Sequence, residues 1–409
     1  MKRALSTHPS AWATRLQRAM GPLVLAAGLG VGMAPAGAQT PAAPAAAGPA
    51  GQGQVLNFSN WMDYIPESFI QSFEQKTGIK VRYRTYRSNE ELQTRVEGNT
   101  DIDDLVVPGL GFAKSQLAKG LYQPLDKRLL PNHKNLDPEL LKAMERVDTG
   151  NRHFVPWGWG FTTLFINRTQ VMKALAGGAA PGQAARPPLP YPANEWDLAF
   201  NPTYTQRLRG CGIAMLESPS EIMPLALMYI GKDPYSQQPA DYRLAAEMLR
   251  KVRPDIRTFT TALLDTLSSG NYCVAVGWSG DIQSAIATLQ ETRPSEVFQG
   301  LLPSTGANRF IDVLAIPKNA RNPASAHAFI NFYLDAVQAA QMPNEVGYPN
   351  GNLAALRHVD AEVKTQPMVF PPPAFVQRLV GPEGYSASAR WAMVQSFMAF
   401  AFRLDIDVR

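Results

Sequence analysis

The feature that most constrains the fold is a change of hydrophobic period that repeats between residues 55 and 107. Residues 55–58 read as a short strand, and Phe69, Ile70 and Phe73 then fall at helical spacing between Pro66 and Gly78, which stops the segment. Ile79, Val81 and Tyr83 next alternate with Lys80, Arg82 and Arg84, the period of a strand. Ser88 or Asn89 can cap a helix running through Leu92 and Val96, and Leu105, Val106 and Val107 make a buried strand closed by Pro108 and Gly109. Strand, helix, strand, helix, strand is the signature of a parallel sheet covered by helices, in which ligands sit at the carboxyl ends of strands. The alternation continues. An aromatic-rich turn at 156–161 leads into a strand at 162–167, and further strands at 271–277 and 311–316 precede a helix at 324–334. Residues 177–192, rich in Ala, Gly and Pro, have no apolar period and read as a surface loop.

A chain of 409 residues exceeds a single core, so two lobes are expected. Lys2, Arg3, Arg15 and Arg18 precede an apolar run at 23–33 and the small-residue pattern Ala36, Gly37, Ala38, the arrangement of a secretory signal peptide over residues 1–38. The run is about half of the ~20 residues a membrane-spanning helix needs. Without these residues the net charge of +5 falls to +1, which leaves no basic surface for nucleic acid. Residues 39–54 read as a disordered Ala/Pro leader. Export to an oxidising compartment lets Cys211 and Cys273 pair, and one disulfide is expected; no CxxC points to redox catalysis.

The segment NWMDYI at 60–65 places an indole, a carboxylate and a phenol where the first strand meets its helix. An ammonium group taken out of water needs a negative partner, and an aromatic face adds a weaker attraction. Trp61, Asp63 and Tyr64 supply both; the structural alternative is a helix start with Asp63 near the cap. The same chemistry recurs. Trp278 stands with Asp281 after an apolar strand, Phe310 with Asp312, Glu221 within SPSE, and Tyr348 within GYP, with strand ends as the expected setting. Catalytic signatures are missing: Gly277, Trp278, Ser279, Gly280 lacks the spacing of a nucleophile elbow, and His133, His153, His327 and His358 lack paired metal spacing. No cofactor and no metal is expected.

Across residues 55–385 the chain resembles the periplasmic polyamine-binding proteins of ABC transporters, most closely the putrescine-binding branch. The resemblance lies in NWMDYI at Asn60, FEQKTGIKV at Phe73, DDLVVP at Asp103, QPLDK at Gln123, NLDPELLK at Asn135, GKDP at Gly231, LRKVRPDIR at Leu249 and CVAVGWSGD at Cys273. It implies an α/β, two-lobed solute-binding fold of the type II kind, with a ligand cleft between lobes joined by a hinge. Lobe 1 would comprise 55–157 and about 294–347, and lobe 2 about 158–293 and 348–409. The implied ligand set is Trp61, Asp63, Tyr64, Glu221, Trp278, Asp281, Phe310, Asp312 and Tyr348, acids holding amines and rings lining the methylene chain. The family's disulfide also falls on Cys211 and Cys273. Met62, and Gly109 with Gly111, stand where the family commonly carries serines, and the ending 397–409 departs from its pattern.

The expected function is capture of putrescine or a related polyamine in the periplasm and delivery to an inner-membrane permease, by a monomer that performs no chemistry on its ligand. One alternative is a receptor of the same fold for another small organic cation or solute. The other is a secreted carboxylate-pair hydrolase using Glu221, Asp281 and Asp312 as acid and base. An enzyme should carry an acid with a raised pKa, whereas a cation receptor needs its acids ionised.

Overall fold

The computed structural model describes residues 54–98, 103–177, 187–381 and 384–403. The expected signal peptide, nearly all of the leader, most of the 177–192 loop and the chain beyond residue 403 lie outside the described residues.

Ten strands form one sheet among the described residues: β1 (Val55–Trp61), β2 (Lys80–Tyr86), β3 (Leu105–Val106), β4 (Phe154–Asn167), β5 (Ile213–Leu216), β6 (Thr258–Thr260), β7 (Val274–Trp278), β8 (Phe298–Gly300), β9 (Ala307–Ala315) and β10 (Leu379–Val380). The main order is β2-β1-β3-β9-β4-β7-β5-β6, with β10 beside β9 and β8 beside β4. β2, β1 and β3 run parallel, as do β7, β5 and β6. Between these trios lie β9 and β4, antiparallel to each other and to their outer neighbours β3 and β7.

The early alternation is as the sequence predicts. The helix Glu67–Thr77 follows Pro66, buries Phe69 and Phe73, and ends at Gly78, whose left-handed backbone (φ 73°) returns its N–H to Glu74. Ser88 Oγ accepts from the Glu91 N–H at 3.1 Å to cap the helix Asn89–Gly98, which leaves the Asn89 side chain free for another contact.

The stretch 156–161 is not a turn. It is the interior of β4, paired with β9 through Gly158, Trp159, Gly160 and Phe161, and a register shift between Pro156 and Gly158 accommodates the proline. The aromatic residues there are core and wall, and Trp157 is fully buried.

Three large apolar clusters flank the sheet. One gathers Phe161, Leu164, Met215, Val276 and Phe298. A second gathers Phe58, Phe73, Trp157, Leu314 and Phe329, and a third Tyr86, Val106, Phe154 and Val313. β4 thus contributes its first half to two clusters and its second half to the other. The helix Ala387–Ala401 inserts Phe397 and Phe400 into the first cluster beside Phe259, which supplies a packing role for the start of the divergent ending. Cys211 and Cys273 form a disulfide, tying the turn after the helix Pro202–Leu208 to the start of β7. No helix among the described residues is long and apolar enough to cross a membrane.

Candidate ligand-binding cavity

The carboxyl ends of β1, β3, β5 and β7 converge on one cavity of about 120 Å³, room for a small molecule rather than a single water. Trp61, Asp63, Tyr64, Glu221, Trp278, Asp281, Phe310, Asp312 and Tyr348 all line it. Trp61 ends β1, and Asp63 follows with a left-handed backbone (φ 55°), unusual for a residue with a side chain. That position is not a helix cap, since the helix begins four residues later. Glu221 lies in the first turn of the helix Pro219–Tyr229, and Asp281 in the first turn of the helix Ser279–Thr292 directly after β7. Phe310 and Asp312 sit within β9 rather than at its end, because the cavity also opens onto the middle of the central strands.

Aromatic rings set the shape. Tyr64 stands edge-on to Tyr348, centroids 4.9 Å apart, and Tyr348 in turn meets Phe310 at 6.0 Å. Tyr348 packs so closely on Gly280 that a Cβ there would come within 2.4 Å of the ring. This approach lets the Tyr348 hydroxyl donate to Asp281 Oδ1 at 2.7 Å while accepting from the Asp281 N–H at 3.2 Å.

The acids fall into two sets. Asp281 is pushed up to about 7 by burial, with Asp63 and Asp265 adding repulsion and the Tyr348 hydrogen bond opposing it. Asp63 is raised by partial burial and then by Asp265. Asp312 is held well above the usual carboxylate range by burial and by Glu221. Glu221 is itself raised by burial, against hydrogen bonds donated by Thr162 Oγ1 and by Asn308 Nδ2 at 3.2 Å. Among the described residues none of Asp63, Glu221, Asp281 and Asp312 has an ion-pair partner. The Tyr64 hydroxyl, buried beside Asp312, has no hydrogen-bond partner of normal geometry. Carboxylates with no ion-pair partner, beside an unsatisfied phenol, make the cavity a candidate site for a positive ligand that also accepts and donates hydrogen bonds.

Raised pKa values therefore do not separate receptor from enzyme here. Burial and repulsion between neighbouring acids lift them in a receptor as in an enzyme, and a bound cation opposes that shift.

Several lining residues carry no signal of their own in the sequence. Asp265 comes from the short helix Leu263–Ser268, where it reads as an ordinary exposed acid. Asn89 accepts from the Gly109 N–H at 2.9 Å, and a Cβ on Gly109 would lie 3.0 Å from the Asn89 amide. Where the resemblance predicts a serine hydroxyl, this chain thus presents the Asn89 side chain. Asn308 and Thr162 hold Glu221, and Tyr235 donates to Asn308 at 2.6 Å. The four histidines named above are absent from the lining; His153 bonds Asp148, and His327 bonds the Pro323 carbonyl and the Asp126 N–H. Among the described residues no group of His, Cys, Asp and Glu is placed to hold a metal ion.

The chain matches the model of the bacterial extracellular solute-binding protein family over residues 68–371. It is 36% identical to the putrescine-binding periplasmic protein SpuD of Pseudomonas aeruginosa, over 85% of this chain and 92% of that protein. It is 38% identical to the putrescine-binding periplasmic protein PotF of Escherichia coli, over 79% of this chain and 85% of that protein. Among solved structures it is similar to the spermidine/putrescine ABC transporter substrate-binding protein PotD of Streptococcus pneumoniae, with a TM-score of 0.66 and 25% identity over 86% of this chain and 99% of that one. A sheet whose strand ends and central strands meet at one acid-lined, aromatic cavity, together with these matches along most of the chain, establishes that the protein belongs to the bacterial extracellular solute-binding protein family.

Proposed function

We propose that the protein is the periplasmic binding component of an ABC importer for putrescine or a closely related polyamine. The observation that carries this reading is the set of four cavity carboxylates, none of them ion-paired among the described residues, divided between Asp63 with Asp281 and Glu221 with Asp312. A short alkyl diamine bears a charge at each end and methylenes between. Its ammonium groups neutralise both acid sets, while Trp61, Trp278, Phe310 and Tyr348 line the carbon chain and add cation–π attraction. The names of the relatives, which are binding proteins rather than enzymes, point the same way.

Binding then needs no bond-making. The two lobes, 55–157 with about 294–347 and about 158–293 with 348–409, close around the ligand about the central strands β4 and β9. A ligand bridging acids from both sides binds the closed form better than the open one, and that differential affinity drives closure. The closed form is the one an inner-membrane permease engages. Micromolar affinity corresponds to about 8 kcal/mol, well below the gross attraction, because the charged groups lose water.

A second reading, a receptor for another small organic cation, is favoured by Met62 at the cavity and by the Asn89 amide beside Gly109. Calorimetric titration with putrescine, spermidine and arginine in parallel tests both. Saturable one-to-one binding of a polyamine at micromolar concentration is expected; heat with arginine alone would transfer the assignment to the second reading. Turnover of any ligand would overturn both.

A further inference from the structure

A second cavity, of about 670 Å³, lies between the helices Leu110–Ala118 and Pro138–Met144 and the strands β9 and β10. Lys114, Lys142, Arg146 and Arg309 line it, with Glu139 as its acid and Leu110, Val147, Ile311 and Leu379 among its apolar walls. None of the four cations has an ion-pair or hydrogen-bond partner among the described residues, and the Arg309 Nε is buried and unsatisfied. Cations left unpaired around one concavity focus a positive potential there, and guanidinium groups match carboxylate and phosphate oxygens with two parallel hydrogen bonds. The apolar walls suit a carbon skeleton.

Arg309 also lines the aromatic cavity, and it is the charged residue common to both linings. Its guanidinium is lowered by burial and by Arg146 on one side, while Tyr235 of the aromatic cavity raises it from the other. A fixed positive charge in that wall opposes a bound ammonium, and an anion on its far side offsets the opposition. Such a coupling is reciprocal.

We propose that this second cavity binds a small organic anion bearing two or more carboxylate or phosphate groups, and that its occupancy tightens cation binding next door through Arg309. The coupling rests on the polyamine reading; the anion site does not.

The test titrates citrate and inorganic phosphate separately into the protein at constant ionic strength, then putrescine with and without each, correcting for anion–putrescine pairing in protein-free controls. Saturable binding of one or both anions is expected, weakened about tenfold or more in the Lys142→Gln, Arg146→Gln double variant. That variant should bind putrescine as the parent does when no anion is present. Saturating anion should tighten putrescine about threefold or more in the parent and leave the double variant unaffected. Citrate alone binding assigns carboxylate chemistry, and phosphate alone assigns phosphate. No saturable binding of either at millimolar concentration, or binding undiminished in the double variant, overturns the site. Anion binding that leaves putrescine affinity unchanged overturns the coupling. If putrescine fails to bind under every condition, the polyamine reading falls, and the anion isotherms still decide the site.

Discussion

Asp281 concentrates the electrostatics of the cavity in one side chain. Burial lifts its carboxyl to about 7, the neighbours Asp63 and Asp265 add to the lift, and Tyr348 offers the hydrogen bond that favours the ionised form. Asp281→Asn keeps the shape and removes the charge, so putrescine affinity should fall at least about tenfold with the circular dichroism spectrum and melting curve retained. Unchanged affinity would remove Asp281 from the site. Tyr348→Phe takes away the hydrogen bond and should raise the Asp281 pKa further. Its binding deficit should therefore be large at pH 7 and shrink at pH 8.5, where the acid ionises without help; a deficit constant across that range would mean the phenol acts on the ligand directly. Trp61, Asp63, Tyr64, Trp278, Asp281, Phe310 and Asp312 were legible in the sequence because they stand in short aromatic-plus-acid motifs, whereas SPSE around Glu221 and GYP around Tyr348 hold only half of that pairing. Asp265 was not, since nothing local separates an acid facing a cavity from one facing water.

At the scale of elements, the loop after β3 shows how a neighbour takes over a missing group. Gly109 leaves room for the Asn89 amide, and Asn89 is free because Ser88 caps the helix. Gly109→Ser should push the amide away and leave the Gly109 N–H without its acceptor, at a cost of about 1–2 kcal/mol in urea unfolding. Stability equal to the parent would show that Asn89 relaxes without loss. The disulfide bridges residues 62 positions apart, so Cys211→Ser with Cys273→Ser should lower unfolding stability by about 2–4 kcal/mol. Strands and helices up to residue 107 could be read from local period and caps. The second half of β4 could be, at 162–167, but its first half could not, because Pro156 and five glycines or aromatics in succession mimic a turn, and only pairing with β9 across more than a hundred residues makes them a strand. The same long-range pairing puts Phe310 and Asp312 inside a strand rather than at its end.

On the scale of the whole molecule, two parallel trios of strands joined through two antiparallel central strands form an architecture that no local period reveals. The motifs shared with a family imply two lobes joined by a hinge but not this strand order, and the local periods reach only as far as helices packed on a parallel sheet. Closure about β4 and β9 should reduce the radius of gyration in small-angle scattering when putrescine is added; an unchanged radius with saturable binding would mean that the cavity takes its ligand without lobe motion. The central claim is that cavity acids with no ion-pair partner among the described residues hold the ligand's charge. Above their raised pKa values these acids are ionised and ready; below them a proton must leave before the cation binds. Putrescine affinity measured calorimetrically from pH 8.5 to pH 5.5 tests this most directly. The account predicts tight binding at the alkaline end, a progressive loss as the pH falls through about 7, where Asp281 titrates, and proton release on binding near that pH. An affinity independent of pH over this range would contradict it.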